Sequence, residues 1–79
     1  MSSVIHRSKL IDIIKSEKFF KCTFIKKNGD MRTMICSYID LKSNSKLVIV
    51  YDIENEGYRH INIETMLNIH IQKNTYLIK

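Results

Sequence analysis

The 79-residue chain has no proline, tryptophan or alanine, and only two glycines and two cysteines. Each shortage excludes something. Gly29 and Gly57 stand far apart, so no glycine-rich loop is available to cradle phosphates on bare backbone. Cys22 and Cys36, with His6, His60 and His70, form no pair at the two-to-four spacing of a zinc knuckle, so no metal and no cofactor is expected. The longest unbroken apolar run, Leu47 to Tyr51, falls far short of the roughly 20 residues of a membrane helix. The segment from Met1 to Arg7 lacks the apolar stretch of a secretory signal, so a cytoplasmic protein with free, buried thiols is expected.

What is present describes one small folded unit. With 44% hydrophobic and 27% charged residues the composition is too apolar for a disordered tail. A chain this short buries only about 60% of its unfolded surface, leaving a thin core in one domain, residues 1–79. Isoleucine (14), lysine (10) and asparagine (6) make 30 of the 79 residues, a skew typical of an A/T-rich genome. The net charge of +5 is unevenly spread: residues 1–46 hold ten cations and four acids, residues 47–79 three and four. The excess lies in the first half, at +6 against −1.

Periodicity predicts the elements. Leu10, Ile11 and Ile14 form one apolar stripe within Ser3 to Glu17, which predicts a helix capped by Ser3 or Ser8, the N-terminal part of a unit divided as helix 1–18 and barrel 19–79. From Phe19 the period becomes two, and the alternation halts at Asn28-Gly29, a strong hairpin signal. With Asn28 and Gly29 as a two-residue turn, Lys27 faces Asp30, Ile25 faces Arg32, Cys22 faces Ile35, and Cys36 lies opposite Lys21. One face then holds Phe20, Cys22, Phe24 and Ile35; the other, basic and apolar, holds Lys21, Ile25, Arg32, Met34 and Tyr38. Asp40 to Lys46 reads as a polar loop. Leu47 to Tyr51 reads as a central strand covered on both faces. The turn after Asp52 uses Gly57 for a positive φ, and Tyr58 to Ile63 returns as a strand. Leu67 to Gln72 alternates three apolar with three polar residues, and the chain turns once more into Tyr76 to Lys79. The expected fold is mainly β: a small SH3/Sm-like barrel of five to six short antiparallel strands with one N-terminal α-helix, against an open sheet with the helix across one face.

Catalytic chemistry finds little footing. A Cys or Ser nucleophile needs a neighbouring base, Cys36 has only Lys21 to lower its thiol pKa, and the acids Asp52, Glu54 and Glu56 cluster at a turn where solvated carboxylates are ordinary. The protein is not expected to be an enzyme. The basic first half is more informative, because lysines on a sheet face beside Phe19, Tyr38 and Ile25 match phosphates and stacked bases. The competing explanation is a solvated lysine-rich surface set by codon usage.

Two stretches carry a resemblance: Thr23-Phe24-Ile25-Lys26-Lys27-Asn28-Gly29-Asp30-Met31-Arg32-Thr33-Met34-Ile35-Cys36, and Val50-Tyr51-Asp52-Ile53-Glu54 through Gly57-Tyr58-Arg59-His60-Ile61-Asn62-Ile63-Glu64-Thr65-Met66. Together they resemble a largely uncharacterised family of small SH3-like β-barrel proteins encoded by tailed phages and other large DNA viruses. There, a T-F-x-K-K-x-G-x-x-R-x-M-x-C hairpin precedes a V-x-D strand and an aromatic-Arg strand. Tyr58 stands where that family often has tryptophan, and its long central loop is shortened here at Asp40 to Lys46. A more distant likeness, through Tyr58-Arg59 and the apolar strand after it, is to the WYL module of bacterial regulators, also Sm-like and associated with nucleic-acid or nucleotide ligands. The resemblance implies a viral protein acting in the host cytoplasm and transfers no catalytic residue. Two functions follow as expectations. One is nucleic-acid binding by a basic helix and hairpin face, with Lys21, Lys26, Lys27, Arg32 and Arg59 on phosphates and Tyr38 and Tyr58 stacking. The other is an interaction module or self-associating barrel that binds a host or viral protein. For Arg32 and Arg59 the structural alternative is an ion pair with Asp52 or Glu64.

Overall fold

The computed structural model describes residues 3–42 and 46–79. In chain order the elements are β1 (Ser3–Ile5), a 3₁₀ turn (Arg7–Lys9), α1 (Leu10–Ser16), β2 (Phe20–Ile25), β3 (Met31–Leu41), β4 (Leu47–Asp52), β5 (Gly57–Asn62), a second 3₁₀ turn (Ile63–Thr65), β6 (Met66–Ile71) and β7 (Asn74–Ile78). The strands form one sheet in the order β1-β7-β6-β2-β3-β4-β5. Neighbours run antiparallel except β1 and β7, which are parallel. Instead of a closed barrel of five or six strands, the described residues make seven, and their sheet stays open with β1 and β5 at its edges.

Two bulges let so short a sheet curl. Ile39 is the extra residue where Tyr38 pairs with Val50 and Asp40 with Ile49, and Leu67 is the extra residue where Thr23 pairs with Asn68 and Phe24 with Met66. The second bulge explains why β6 departs from strict alternation: Met66, Ile69 and Ile71 are buried and Leu67 is only half-buried. α1 lies on the inner side of the curl, its Leu10 and Ile14 packed into the cluster formed by Phe20, Cys22, Phe24, Met34, Val50 and Met66.

Several expectations are corrected. The helix is seven residues long rather than filling Ser3 to Glu17. Its leading segment is taken by β1, where Val4 and Ile5 lie beside Leu77 and Ile78, and by the first 3₁₀ turn, so neither Ser3 nor Ser8 caps it. Backbone bonds from Arg7 N–H to the Lys79 carbonyl (2.8 Å) and from Lys79 N–H to Ile5 (2.9 Å) fix that departure. β4 is covered fully on one face only: Val48, Val50 and Asp52 are buried, while Leu47, Ile49 and Tyr51 are half-buried. In the β4–β5 turn the positive φ belongs to Glu56 (51°), not Gly57. Gly57 instead lies close to Arg59: a Cβ there would sit 2.8 Å from Nη1, so the guanidinium would have to shift. The expected loop from Asp40 to Lys46 is in part strand, with Asp40 and Leu41 ending β3, and its centre, 43–45, lies outside the described residues.

The largest correction concerns the first hairpin. Asn28-Gly29 marks the turn, but the loop is three residues, with Lys26 N–H bonded to the Asp30 carbonyl (2.8 Å) and Gly29 N–H to Lys26 (2.9 Å). Only Gly29 has a positive φ, 92°. Asn28 shapes the turn through its side chain, whose Oδ1 accepts from Asp30 N–H at 3.0 Å. The register therefore slips by one: Cys22 pairs with Met34, Lys21 with Ile35, and Phe20 with Cys36. Because side chains alternate faces, the slip puts Met34 in the core at 2% exposure and Ile35 outside at 37%. Met34→Ala is therefore expected to destabilise the fold by about 2–5 kcal/mol and Ile35→Ala by under about 1 kcal/mol. Urea unfolding of the two variants measures the difference, and the two-residue turn predicts the reverse order.

Candidate functional site

The outward face of the hairpin and its neighbours is a grid of cross-strand pairs. In one row Lys21 lies between His70 and Ile35, with Thr75 beyond His70. In the next, Thr23 lies between Thr33 and Asn68, and the two threonine hydroxyls are 3.0 Å apart. His70 Nδ1 and Thr75 Oγ1 are bonded at 2.7 Å. Lys21, Thr23, Thr33, Asn68, His70 and Thr75 line a shallow polar depression of about 300 Å³. Toward β5 the same face becomes aromatic: Tyr51 and Tyr58 are cross-strand partners in edge-to-face contact, centroids 5.3 Å apart, with Ser37 opposite Tyr51. Tyr58 is 65% exposed, and Phe19, with the Lys18 ammonium 5.5 Å from its ring centre, is 52% exposed. Ile35 and the neighbouring Ile53 are exposed between the lysine and the tyrosines.

A second cluster occupies the end of the curl beside the β4–β5 turn. The inward alternation of β4 leaves the Asp52 carboxylate without solvent exposure. Its Oδ2 accepts from Arg32 Nη2 at 3.0 Å and from Asn55 Nδ2 at 2.9 Å, and its Oδ1 from the Asn55 backbone N–H at 3.2 Å. Arg59 Nε is 4.0 Å from the same Oδ2. The Asn55 side chain above all, then its backbone N–H and the two guanidinium groups, hold the Asp52 carboxyl below the ordinary carboxylate range against the opposing effect of burial.

The residues singled out from sequence thus fall into separate groups. Lys21 and Tyr58 share the outward face. Lys26 and Lys27 are exposed at the hairpin tip. Arg32 and Arg59 converge on Asp52, the first of the two acids weighed for them, while Glu64 is paired with Lys46 at 3.3 Å. Tyr38 lies on the helix side, half-buried against the core with Lys15 5.9 Å from its ring centre. Since α1 packs on the inner side of the sheet, the cations of helix and hairpin do not converge on one surface. Arg7, counted with the basic half, is tied to the backbone, donating from Nη1 to the carbonyls of Ile63 and Met66.

Tyr51 and His70 were missed as members of the outward face. Tyr51 sits in a run that reads as doubly buried, and nothing in sequence brings His70 beside Lys21 without the β2–β6 pairing. The cysteines are also rearranged. Cys36 stands opposite Phe20 rather than Lys21, and both thiols are free and buried. A hydrogen bond to Cys22, then burial, push the Cys36 thiol far above its ordinary range, which makes it a poor nucleophile. Among the described residues no group of three or more His, Cys, Asp or Glu side chains is placed to hold a metal, and no helix is long and apolar enough to cross a membrane.

Residues 7–67 match the family model described as WYL_2, Sm-like SH3 beta-barrel fold, and the chain belongs to that family. The matched span covers the first 3₁₀ turn through the start of β6 and leaves out β7 and β1, the strand that adds to the expected count. No curated protein and no solved structure matches the chain.

The Asp52 cluster has a measurable consequence. A carboxyl whose folded pKa lies below its unfolded value stabilises the fold fully above the unfolded value near 4, and that contribution is lost as pH falls through the folded value. Asp52→Asn is expected to cost about 1–3 kcal/mol at neutral pH, because the charge-assisted bonds from Arg32 and Asn55 to the buried carboxylate are lost. Thermal unfolding at pH 7 and pH 3 should show the variant losing less stability on acidification than the parent.

Proposed function

Proceeding from an Sm-like SH3 barrel, we propose that the chain is a small, non-catalytic accessory protein of a tailed phage or another large DNA virus, acting in the host cytoplasm, and that it binds nucleic acid on the outward sheet face. The observation that carries this reading is the run of Lys21, His70 and the Thr23–Thr33 pair alongside Tyr51 and Tyr58 on one face. Phosphates are met by Lys21, with Lys26 and Lys27 at the hairpin tip, and bases by the exposed Tyr58 ring held at its edge by Tyr51. Arg32 and Arg59 are engaged with Asp52, and Glu54 and Glu56 stand in the same turn, so the phosphate contacts fall to the lysines. Lysine cations and a planar ring recognise what all nucleotides share, so binding is expected without marked sequence preference. The A/T-rich residue usage supports the viral source. A protein-binding role rests on a different element, the free edge of β5.

Fluorescence anisotropy with a labelled single strand and a labelled duplex, titrated across salt, tests the reading. Retention at about 50 mM salt that falls as salt rises is expected. Lys21→Ala should reduce the slope of log K against log salt by about 0.7–0.9, and Tyr58→Ala should weaken single-strand binding by about 1–3 kcal/mol. Lys15→Ala, on the helix side, should change neither. Absence of binding at the lowest salt rejects the proposal.

A further inference from the structure

The open sheet has one long free edge, β5, and its hydrogen-bonding phase can be read from a single contact. Ile63 N–H donates to the Lys46 carbonyl at 2.9 Å, continuing the register in which Leu47 pairs with Asn62 and Val48 with Ile61. In an antiparallel ladder, a residue that exchanges both bonds with its partner alternates with one that points both groups away. Ile61 and Arg59 therefore face β4, and the backbone groups of Tyr58, His60 and Asn62 face away from it. Two of the three outward carbonyls are already occupied: Tyr58 accepts from Arg59 Nη1 at 3.0 Å, and Asn62 from Thr65 Oγ1 at 2.7 Å. Among the described residues, His60 has no partner for either its outward N–H or its carbonyl, and the N–H groups of Tyr58 and Asn62 flank it.

Beside that edge runs a cleft of about 470 Å³ between the second half of β5 and the end of β2. This is within the roughly 300–1,000 Å³ typical of ligand sites. Phe24, Ile25 and Ile61 supply an apolar wall, and Lys26, Lys27 and His60 supply cations or donors, with no Asp or Glu in the lining. We propose that this cleft docks an extended segment of a partner protein in which apolar and acidic residues alternate, added to the β5 edge as an eighth strand. The backbone of the guest exchanges hydrogen bonds with His60. Its side chains on the inner face meet Phe24 and Ile61, and those on the outer face meet Lys26 and Lys27. A second copy of this chain fits the cleft less well. Its exposed edges are β5, which would bring Arg59 and His60 toward their own copies, and β1, whose Ser3-Val4-Ile5 carries no acid. The proposal uses the β5 edge rather than the outward face of the nucleic-acid reading and shares with it only Lys26 and Lys27 at the hairpin tip.

The test is an NMR titration of the full chain with an end-blocked decapeptide of alternating glutamate and valine, and with its lysine–valine counterpart. The expected result is that the acidic peptide shifts the amides of Tyr58, His60 and Asn62 and slows their hydrogen exchange, while the basic peptide does not. His60→Pro removes the outward N–H without touching the β4 ladder and should weaken binding about tenfold or more. In case that variant folds poorly, the loop double variant Lys26→Glu with Lys27→Glu should lose the acidic peptide and gain the basic one. Lys21→Ala should leave peptide binding unchanged, so failure here and failure of the nucleic-acid reading are separable. Equal binding of both peptides, shifts confined to the outward face, or no shift overturns the proposal. So does a concentration-dependent dimer that protects the same three amides, which would assign the edge to a second copy.

Discussion

Asp52 occupies a position where the inward alternation of β4 would otherwise place a third valine after Val48 and Val50. A carboxylate taken fully out of water is costly unless its oxygens are matched, and that requirement reaches across the fold. Arg32 comes from the first hairpin, Asn55 from the turn between β4 and β5, and Arg59 from the edge strand, so one side chain ties the β4–β5 hairpin to the first one. Gly57 belongs to the same arrangement, because a side chain there would meet the Arg59 guanidinium. The cluster also covers the Tyr58 carbonyl through Arg59 and so shortens the part of β5 left open for pairing.

The distribution of cations follows from this. All three arginines are engaged with fixed acceptors, Arg7 with the carbonyls of Ile63 and Met66, and Arg32 and Arg59 with Asp52. The guanidinium fork suits this use, since its several donors can satisfy more than one acceptor at a time. Lysines are left for the surface, where a hydrated ammonium on a flexible stem can meet phosphates without a prepared geometry. A face built on Lys21 and Tyr58 is thus suited to general affinity, and the arginine geometry that reads base edges is spent on the fold itself.

Much of the fold was legible because local physics decided it. The alternation of Phe20, Cys22 and Phe24 fixes which side of β2 enters the core, and Asn28-Gly29 places the first turn. What sequence left open was register. Two-residue and three-residue loops both accommodate that dipeptide, and the choice between them moves Met34 and Ile35 to opposite faces. β1 lies in a segment whose apolar stripe predicts helix, because three residues are too few to show a period of two, and its pairing with β7 is a contact across nearly the whole chain. For the candidate site, Lys21, Lys26, Lys27 and Tyr58 were legible as exposed polar or aromatic positions. The one-residue shift in register moves Tyr38 to the helix side, and His70 joins the site only through the β2–β6 ladder.

The two edges of the sheet show how an open architecture avoids indiscriminate pairing. β1 is three residues long, and backbone bonds from Arg7 and Lys79 secure its junction with β7, so it offers little to a passing strand. β5 is twice as long and would be the greater hazard, yet Arg59 and Thr65 occupy the outward carbonyls at either end. What remains is one residue with both backbone groups free, flanked by lysines and an apolar wall. A strand that pairs there must be short, and its charge must complement Lys26 and Lys27, which is a far narrower requirement than an uncovered edge imposes. Leaving the curl unclosed therefore exposes a selective seam, while the outward face of the same sheet stays free for a different ligand.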